Sequence, residues 1–355
     1  MDATLPHAAV PAQAQARSNA RAVAAWLLVC CALLFAMIVV GGVTRLTHSG
    51  LSIVEWKPIV GTIPPLDAAQ WEEAFAKYRE TPEFRLVNRD MTLEGFKGIF
   101  WWEYFHRLLG RGIGFVFLLP LAWFAVRRRI DRPLARRLGF IFGLGLVQGA
   151  VGWWMVKSGL VDDPKVSPLR LTTHLGIAFL IYAAMFWTAL DLLAPDRFAG
   201  SPAGRHRLGR PAAAIAALVF LMILSGGLVA GTRAGFAYNT FPLMDGHWIP
   251  PGLLASDPWY ASFWRDLTTV QFDHRVFAWL LALLIPWFWW RVQRSDAADG
   301  AKLAAHGLMA ALVLQVALGI ATLLMRVPVP VAACHQAGAV VLFTAALWTA
   351  HRLRR

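Results

Sequence analysis

Hydrophobic residues in this chain gather into eight long runs, at 22–44, 104–126, 138–157, 171–192, 212–232, 272–290, 304–325 and 332–350. Each is close to the roughly 20 residues a helix needs to cross the apolar core of a bilayer. A segment in lipid has to satisfy its own backbone hydrogen bonds, so runs of this length predict helices. The second, fourth, sixth and eighth begin at or just before a histidine. The expected fold is an all-α integral membrane protein with eight transmembrane helices.

The breaks between runs are of two kinds. Arg17 and Arg21 precede the first run. Arg127, Arg128, Arg129, Arg132, Arg136 and Arg137 separate the second from the third, and Arg197, Arg205, Arg207 and Arg210 the fourth from the fifth. Arg291, Arg294 and Lys302 follow the sixth, and Arg352, Arg354 and Arg355 end the chain. All fall on one side of an even-numbered bundle. Positively charged loops stay inside the cell, so both termini are expected in the cytoplasm. The outer side carries long loops at 46–103 and 233–269. In the first, Asp67 followed by AAQWEEAFAKY reads as a capped amphipathic helix with Trp71, Phe75 and Tyr78 on one face. It is expected to lie along the outer membrane surface as a lid. The second loop, rich in Pro, Gly and Trp, is expected to cover the other half. Residues 1–21 read as a disordered cytoplasmic tail without the apolar core of a signal peptide. Residues 194–211 read as a cytoplasmic linker between an N-terminal half, 22–193, and a C-terminal half, 212–355.

Composition sharpens this picture. The chain has 355 residues, 57% of them hydrophobic and 15% charged, which excludes a soluble domain. The net charge of +13 would suit a nucleic acid, but the arginines sit in short clusters between apolar runs, as topology signals do. No nucleic-acid partner is expected; the bilayer is. Cys30, Cys31 and Cys334 all lie within apolar runs, so no disulfide framework is implied.

Shifting the chain on itself reveals a repeat. Thr44-Arg45 returns as Thr232-Arg233, His106-Arg107 as His274-Arg275, VQGAVG from Val147 as LQVALG from Leu314, and THLG from Thr173 as CHQA from Cys334. The offsets are 188, 168, 167 and 161 residues, drifting as loop lengths change. Two tandem four-helix bundles related by a pseudo-twofold duplication are the simplest account.

The repeat carries the candidate chemistry. His106, His174, His274 and His335 occupy similar depths at the outer ends of even-numbered spans. Two histidines on facing helices suit bis-imidazole ligation of haem iron in a bundle. The plainer alternative is interfacial histidines turned to the headgroups, and a zinc site lacks a completing ligand set. Arg107 and Arg275 oppose the charge rule on the outer side and call for an anion; haem propionates would serve, and Arg45 and Arg233 fit the same role. Arginine snorkelling to lipid phosphate is the competing reading. Gly110, Gly112, Gly114 and Gly152 allow close approach of helices or of a macrocycle face. One position breaks the symmetry: Glu103, three residues before His106, is matched by Gln271, which cannot accept a proton. That assigns the chemistry to the N-terminal half and an electron-transfer haem to the C-terminal half, unless Glu103 only partners Arg107. Glu55 is a weaker second carboxylate; His48 and His247 have no duplicated partner and are expected to shape their loops.

The stretches GGVTRLTHSGLSIVEWKP (41–58), GTIPPL (61–66), WWEYFHRLLGR, TTHLG, YNTFPLMDGHWIPP (238–251), QFDHR and ACHQ resemble the haem A synthase family. The resemblance runs over nearly the whole chain from Gly41. It implies a multi-pass enzyme of the bacterial inner membrane that converts haem O to haem A for cytochrome oxidase. The family's haem ligands fall on His106, His174, His274 and His335, and its essential glutamate on Glu103. Haem O would occupy the N-terminal half, where its C8 methyl is oxidised to a formyl group by successive hydroxylations. A haem b in the C-terminal half would pass electrons, with the haem sites toward the outer face. The resemblance also implies a haem O-forming farnesyltransferase and an electron-transfer protein as partners, with a homo-oligomer open. The first outer loop lacks the cysteine pair of one branch, so the chain looks like the cysteine-free, mitochondrial-like branch. From the residues alone, a quinol-linked di-haem electron carrier or a non-catalytic haem transporter would account for the same histidines.

Overall fold

In a computed structural model the described residues are 9–57, 60–161, 163–194 and 207–354. They form eleven helices: α1 (Ala9–Leu46), α2 (Ala68–Arg79), α3 (Pro82–Leu86), α4 (Leu93–Val126), α5 (Arg132–Lys157), α6 (Pro168–Leu193), α7 (Gly209–Thr232), α8 (Ser262–Arg265), α9 (Leu267–Gln293), α10 (Asp299–Leu324) and α11 (Val329–Arg352). Short 3₁₀ turns lie at Val60–Thr62, Ala234–Phe236 and Trp259–Ala261. Eight helices, α1, α4, α5, α6, α7, α9, α10 and α11, are long and apolar enough to span. The eight-helix membrane architecture is as the sequence predicts.

Local chemistry sets several starts. Thr92, Asp131 and Asp266 cap α4, α5 and α9 by accepting backbone N–H bonds, and Pro133 and Pro330 occupy first turns that need no donor. Two boundaries differ from expectation. The segment read as a disordered tail is helical from Ala9, because Ala-, Gln- and Arg-rich sequence favours helix; residues 1–8 lie outside the described residues, as do 195–206 of the linker. And α4 begins at Leu93, so its first turns project beyond the apolar run.

That projection explains a second correction. The helix α2 forms with Asp67 as its cap, but its aromatic face is not laid on the membrane. Phe75 and Tyr78 are buried against Phe96 and Phe100 of α4, with Trp71 edge-on to Phe100 at a centroid distance of 4.9 Å. The extended α4 offers an aromatic face nearer than lipid, so the lid closes on protein.

The neighbours within the halves run in the same order. α1 packs on α4 and α6, and α5 lies between α4 and α6; α7 packs on α9 and α11, and α10 lies between α9 and α11. Between the halves α6 meets α7, α1 meets α11, and α6 meets α11. One core of buried side chains, including Leu27, Phe179, Met185, Phe288 and Phe343, runs through the centre. At the arginine-rich end, Asp191 accepts from Arg137 at 3.0 Å, His351 at 3.0 Å and Arg354 at 3.2 Å, tying α5, α6 and α11 together.

Candidate functional site

The four duplicated histidines lie toward the loop end of the bundle, on α4, α6, α9 and α11. His106 sits well inside α4, and His274 about two turns into α9, rather than at helix heads. Each ring rests on a glycine of the preceding spanning helix. A Cβ added to Gly41 would come 2.8 Å from His106 Cε1; one on Gly152, 2.9 Å from His174; one on Gly226, 3.3 Å from His274; one on Gly319, 2.9 Å from His335. No methyl fits in such gaps at the first, second and fourth, so the glycines set how deep each ring sits. Within each half the rings lie near enough to feel one another's charge, His106 with His174 and His274 with His335. The Nδ1 atoms of His106, His174 and His335 are buried and have no side-chain hydrogen-bond partner among the described residues. Two imidazoles in each half, each with its Cε1 edge against a glycine of a neighbouring helix, are the residues that would hold an iron macrocycle.

The sequence reading had noted Gly152 but not Gly41, Gly226 or Gly319. The repeat contains the missing signal, since Gly41-Gly42 and Gly226-Gly227 are the only glycine pairs in the chain. Each pair faces two ways. Its first glycine seats the histidine of its own half. Its second meets the other half, Gly42 against Gln336 and Gly227 against Thr172, where an added Cβ would lie 3.0 Å from Oγ1. Gln336 also donates to the Ile38 carbonyl at 2.7 Å.

Glu103 is 3% exposed and fully engaged. Its Oε2 accepts from Ser52 Oγ at 2.7 Å and Ile53 N at 2.8 Å, and its Oε1 from Arg107 Nη2 at 2.7 Å and Nε at 3.1 Å. Arg107 also donates to the carbonyls of Ile53 at 2.8 Å and Glu55 at 3.1 Å. At the matching place Gln271 donates to Tyr238 O at 3.1 Å, and Arg275 to Tyr238, Leu243 and Pro242 carbonyls at 3.1, 3.3 and 3.4 Å. Both arginines, expected to meet propionates, donate here to carbonyls of the loops that follow α1 and α7.

Arg45 and Arg233 differ. They face one another closely enough to repel, Arg233 Nη2 lies 3.1 Å from His48 Nδ1, and Arg45 has no hydrogen-bond acceptor among the described residues. Two guanidinium groups within electrostatic reach of one another concentrate positive charge where α1 and α7 end. Burial and both arginines hold the His48 imidazole below its ordinary range. Nearby, Glu83 is 5% exposed, accepts from Tyr78 Oη at 3.2 Å, and is pushed up to about 7 by burial. Sequence inspection missed it, because nothing in PEFRL marks a carboxylate as buried. Glu55 instead pairs in the open with Lys57 at 2.9 Å and Lys77 at 3.0 Å, and these hydrogen bonds hold it low. His247 bonds the Asp245 carbonyl within its own surface turn.

Fold and site together define an eight-span membrane protein with a facing histidine pair in each half. Residues 24–347 match the family described as cytochrome oxidase assembly protein, and the chain belongs to that family. It is 59% identical over 333 residues, 94% of each chain, to a protein of Nitrosospira multiformis named heme A synthase. It is similar at 57% over 336 residues, 94% of each chain, to the protein of that name from Nitrosomonas eutropha, and at 49% over 338 residues, 95% of this chain and 96% of the other, to that of Parvibaculum lavamentivorans.

Proposed function

We propose that this protein is a haem A synthase, converting haem O to haem A by oxidising the C8 methyl to a formyl group. The observation that carries the reading is the duplicated pair of glycine-seated histidines, in a chain whose relatives at 47–59% identity bear that name. The two halves descend from one four-helix unit. His106 and His174 hold the substrate macrocycle, and His274 and His335 hold a resident haem b that carries electrons away. Arg45 and Arg233 supply the positive pole for propionates. Arg107 and Arg275 act through the loops they grip.

The substrate belongs to the N-terminal half for two reasons. The carboxylate Glu103 is there, opposite Gln271. And the seam between α4 and α5 is open: an added Cβ would meet nothing within 4 Å at Gly112, Gly114, Gly139, Gly143, Gly145 or Gly149. Only 11% and 6% of the apolar windows of α4 and α5 are buried, against 22% and 17% for α9 and α10. A farnesylated substrate reaches its site through such a seam directly from the bilayer. When water supplies the formyl oxygen, the oxidation releases four electrons and four protons, two of the protons from the methyl group and two from the water. Bound haem b supplies the electron acceptor; Glu103, Ser52 and Arg107 keep a charged, hydrogen-bonded wall beside the substrate and give the protons an acceptor there. The arginine-rich end and both termini face the cytoplasm. A farnesyltransferase making haem O and an electron-transfer protein are its functional neighbours.

Extraction of haem from the purified protein, with chromatography and mass spectrometry, tests this. Haem b together with haem O, haem A or an oxidised intermediate is expected, and Glu103→Gln should accumulate haem O or the intermediate. Two equivalents of haem b alone, after co-expression with a source of haem O, would overturn the reading in favour of an electron carrier.

A further inference from the structure

The four candidate ligands differ in one contact. Among the described residues three have no side-chain hydrogen-bond partner on the ring, His174 and His335 meeting only the backbone of Gln148 and Gln315; His274 meets a hydroxyl, Ser225 Oγ, at 3.1 Å from Nδ1. Ser225 immediately precedes Gly226, on which the His274 ring rests, and is itself only 8% exposed. The residues preceding the other three seats are Val40, Val151 and Leu318, none of which can hydrogen-bond through its side chain. The difference is therefore written into the sequence one residue before each glycine.

A neutral imidazole carries one N–H. The hydrogen bond made by one ring nitrogen decides which nitrogen bears the proton and leaves the other as the lone-pair donor. A metal-bound histidine held this way is fixed in tautomer and ring plane and donates more strongly to the metal. We propose that Ser225 is a positioning residue of the C-terminal centre: its Oγ accepts the Nδ1–H of His274 and commits Nε2 to a haem that stays. The N-terminal centre has Val40 in that place, so His106 rests on Gly41 with no side-chain hydroxyl to fix its tautomer. That suits a group which enters as substrate and leaves as product at every cycle. This inference rests on the assignment of the resident haem to the C-terminal half.

The experiment compares purified holoprotein of wild type, Ser225→Ala and Ser225→Thr by transfer of haem b to apomyoglobin and by potentiometric titration. Haem extraction of His274→Ala, which should lack haem b, locates that haem. Ser225→Ala is expected to release haem b about 10–100-fold faster, as losses of this kind of outer partner do. Its midpoint potential should rise, because a weaker donor favours the ferrous form. Ser225→Thr, which keeps the hydroxyl, should restore both, and release of haem O or haem A should not change. Wild-type release and potential in Ser225→Ala, or a Ser225→Thr that behaves like Ala, would overturn the proposal. Wild type without haem b, or a His274→Ala that retains it, would instead overturn the assignment beneath it.

Discussion

The two halves use the same parts to different ends. In each, an arginine following a histidine grips the outer loop by its carbonyls. In the N-terminal half that arginine is also salt-bridged to Glu103, whose other oxygen takes two further donors; in the C-terminal half Gln271 makes one bond, and its Oε1 has no partner. The N-terminal loop is thus pinned by buried charge and the C-terminal loop by neutral bonds. Charge concentrated in a dry site is worth far more than the same group in water, and costs more when broken. The lesson is that the helix neighbours and the histidine seats recur in the two halves, while the matched positions 103/271 and 40/225 differ in chemistry.

The largest test of this difference is removal of the buried acid. Glu103→Ala should destabilise the loop at 52–55 by about 3–5 kcal/mol, because Arg107 loses its buried counter-charge and Ser52 and Ile53 lose their acceptor. Gln271→Ala should cost its loop about 1 kcal/mol, the scale of one neutral hydrogen bond. Hydrogen exchange of the two loops measures both, and equal effects would erase the distinction. Next in size are the seats. Gly41→Ala, with 2.8 Å to the ring, should displace His106 and empty the N-terminal centre, whereas Gly226→Ala, with 3.3 Å, should retain most of its haem. Extracted haem per protein decides it; the gain in helix propensity, about 1 kcal/mol for either change, does not separate them.

A smaller, pH-dependent effect belongs to the lid. Glu83, raised to about 7, faces Tyr78 of α2, Glu103 of α4 and Arg233 after α7. A carboxyl whose folded pKa is raised favours the folded lid most below its ordinary value of 4.5, and that advantage is lost as pH rises toward 7. Proteolysis at α2 and α3 should therefore increase between those pH values, over a range of roughly 3 kcal/mol, and Glu83→Gln should flatten the dependence. The smallest expected effect is at Lys77→Ala. Its pairs with Glu55 and Glu73 are exposed, so lid stability should change by less than about 1 kcal/mol.

Much of the site was legible before any coordinates. Hydropathy gives the spans, because lipid forces each apolar run to close its own hydrogen bonds, and the self-match gives the histidines, Glu103 and Gln271. What the chain does not show is where a long polar side chain turns. For Arg107 and Arg275 the sequence reveals charge and depth, but not the loop carbonyls that fold back within 3.5 Å. Arg45 and Arg233 carry the same charge with no such loop and remain open to an anion.

The sequence alone determined the class of fold and the matched positions of its self-comparison, since these rest on local period and on residue chemistry. Only the tertiary structure decided that glycines on neighbouring helices seat the rings, that α2 closes on α4 rather than on lipid, and that a serine touches one histidine of four. Those are contacts between residues far apart in the chain, and side-chain shape settles them only once the helices are packed.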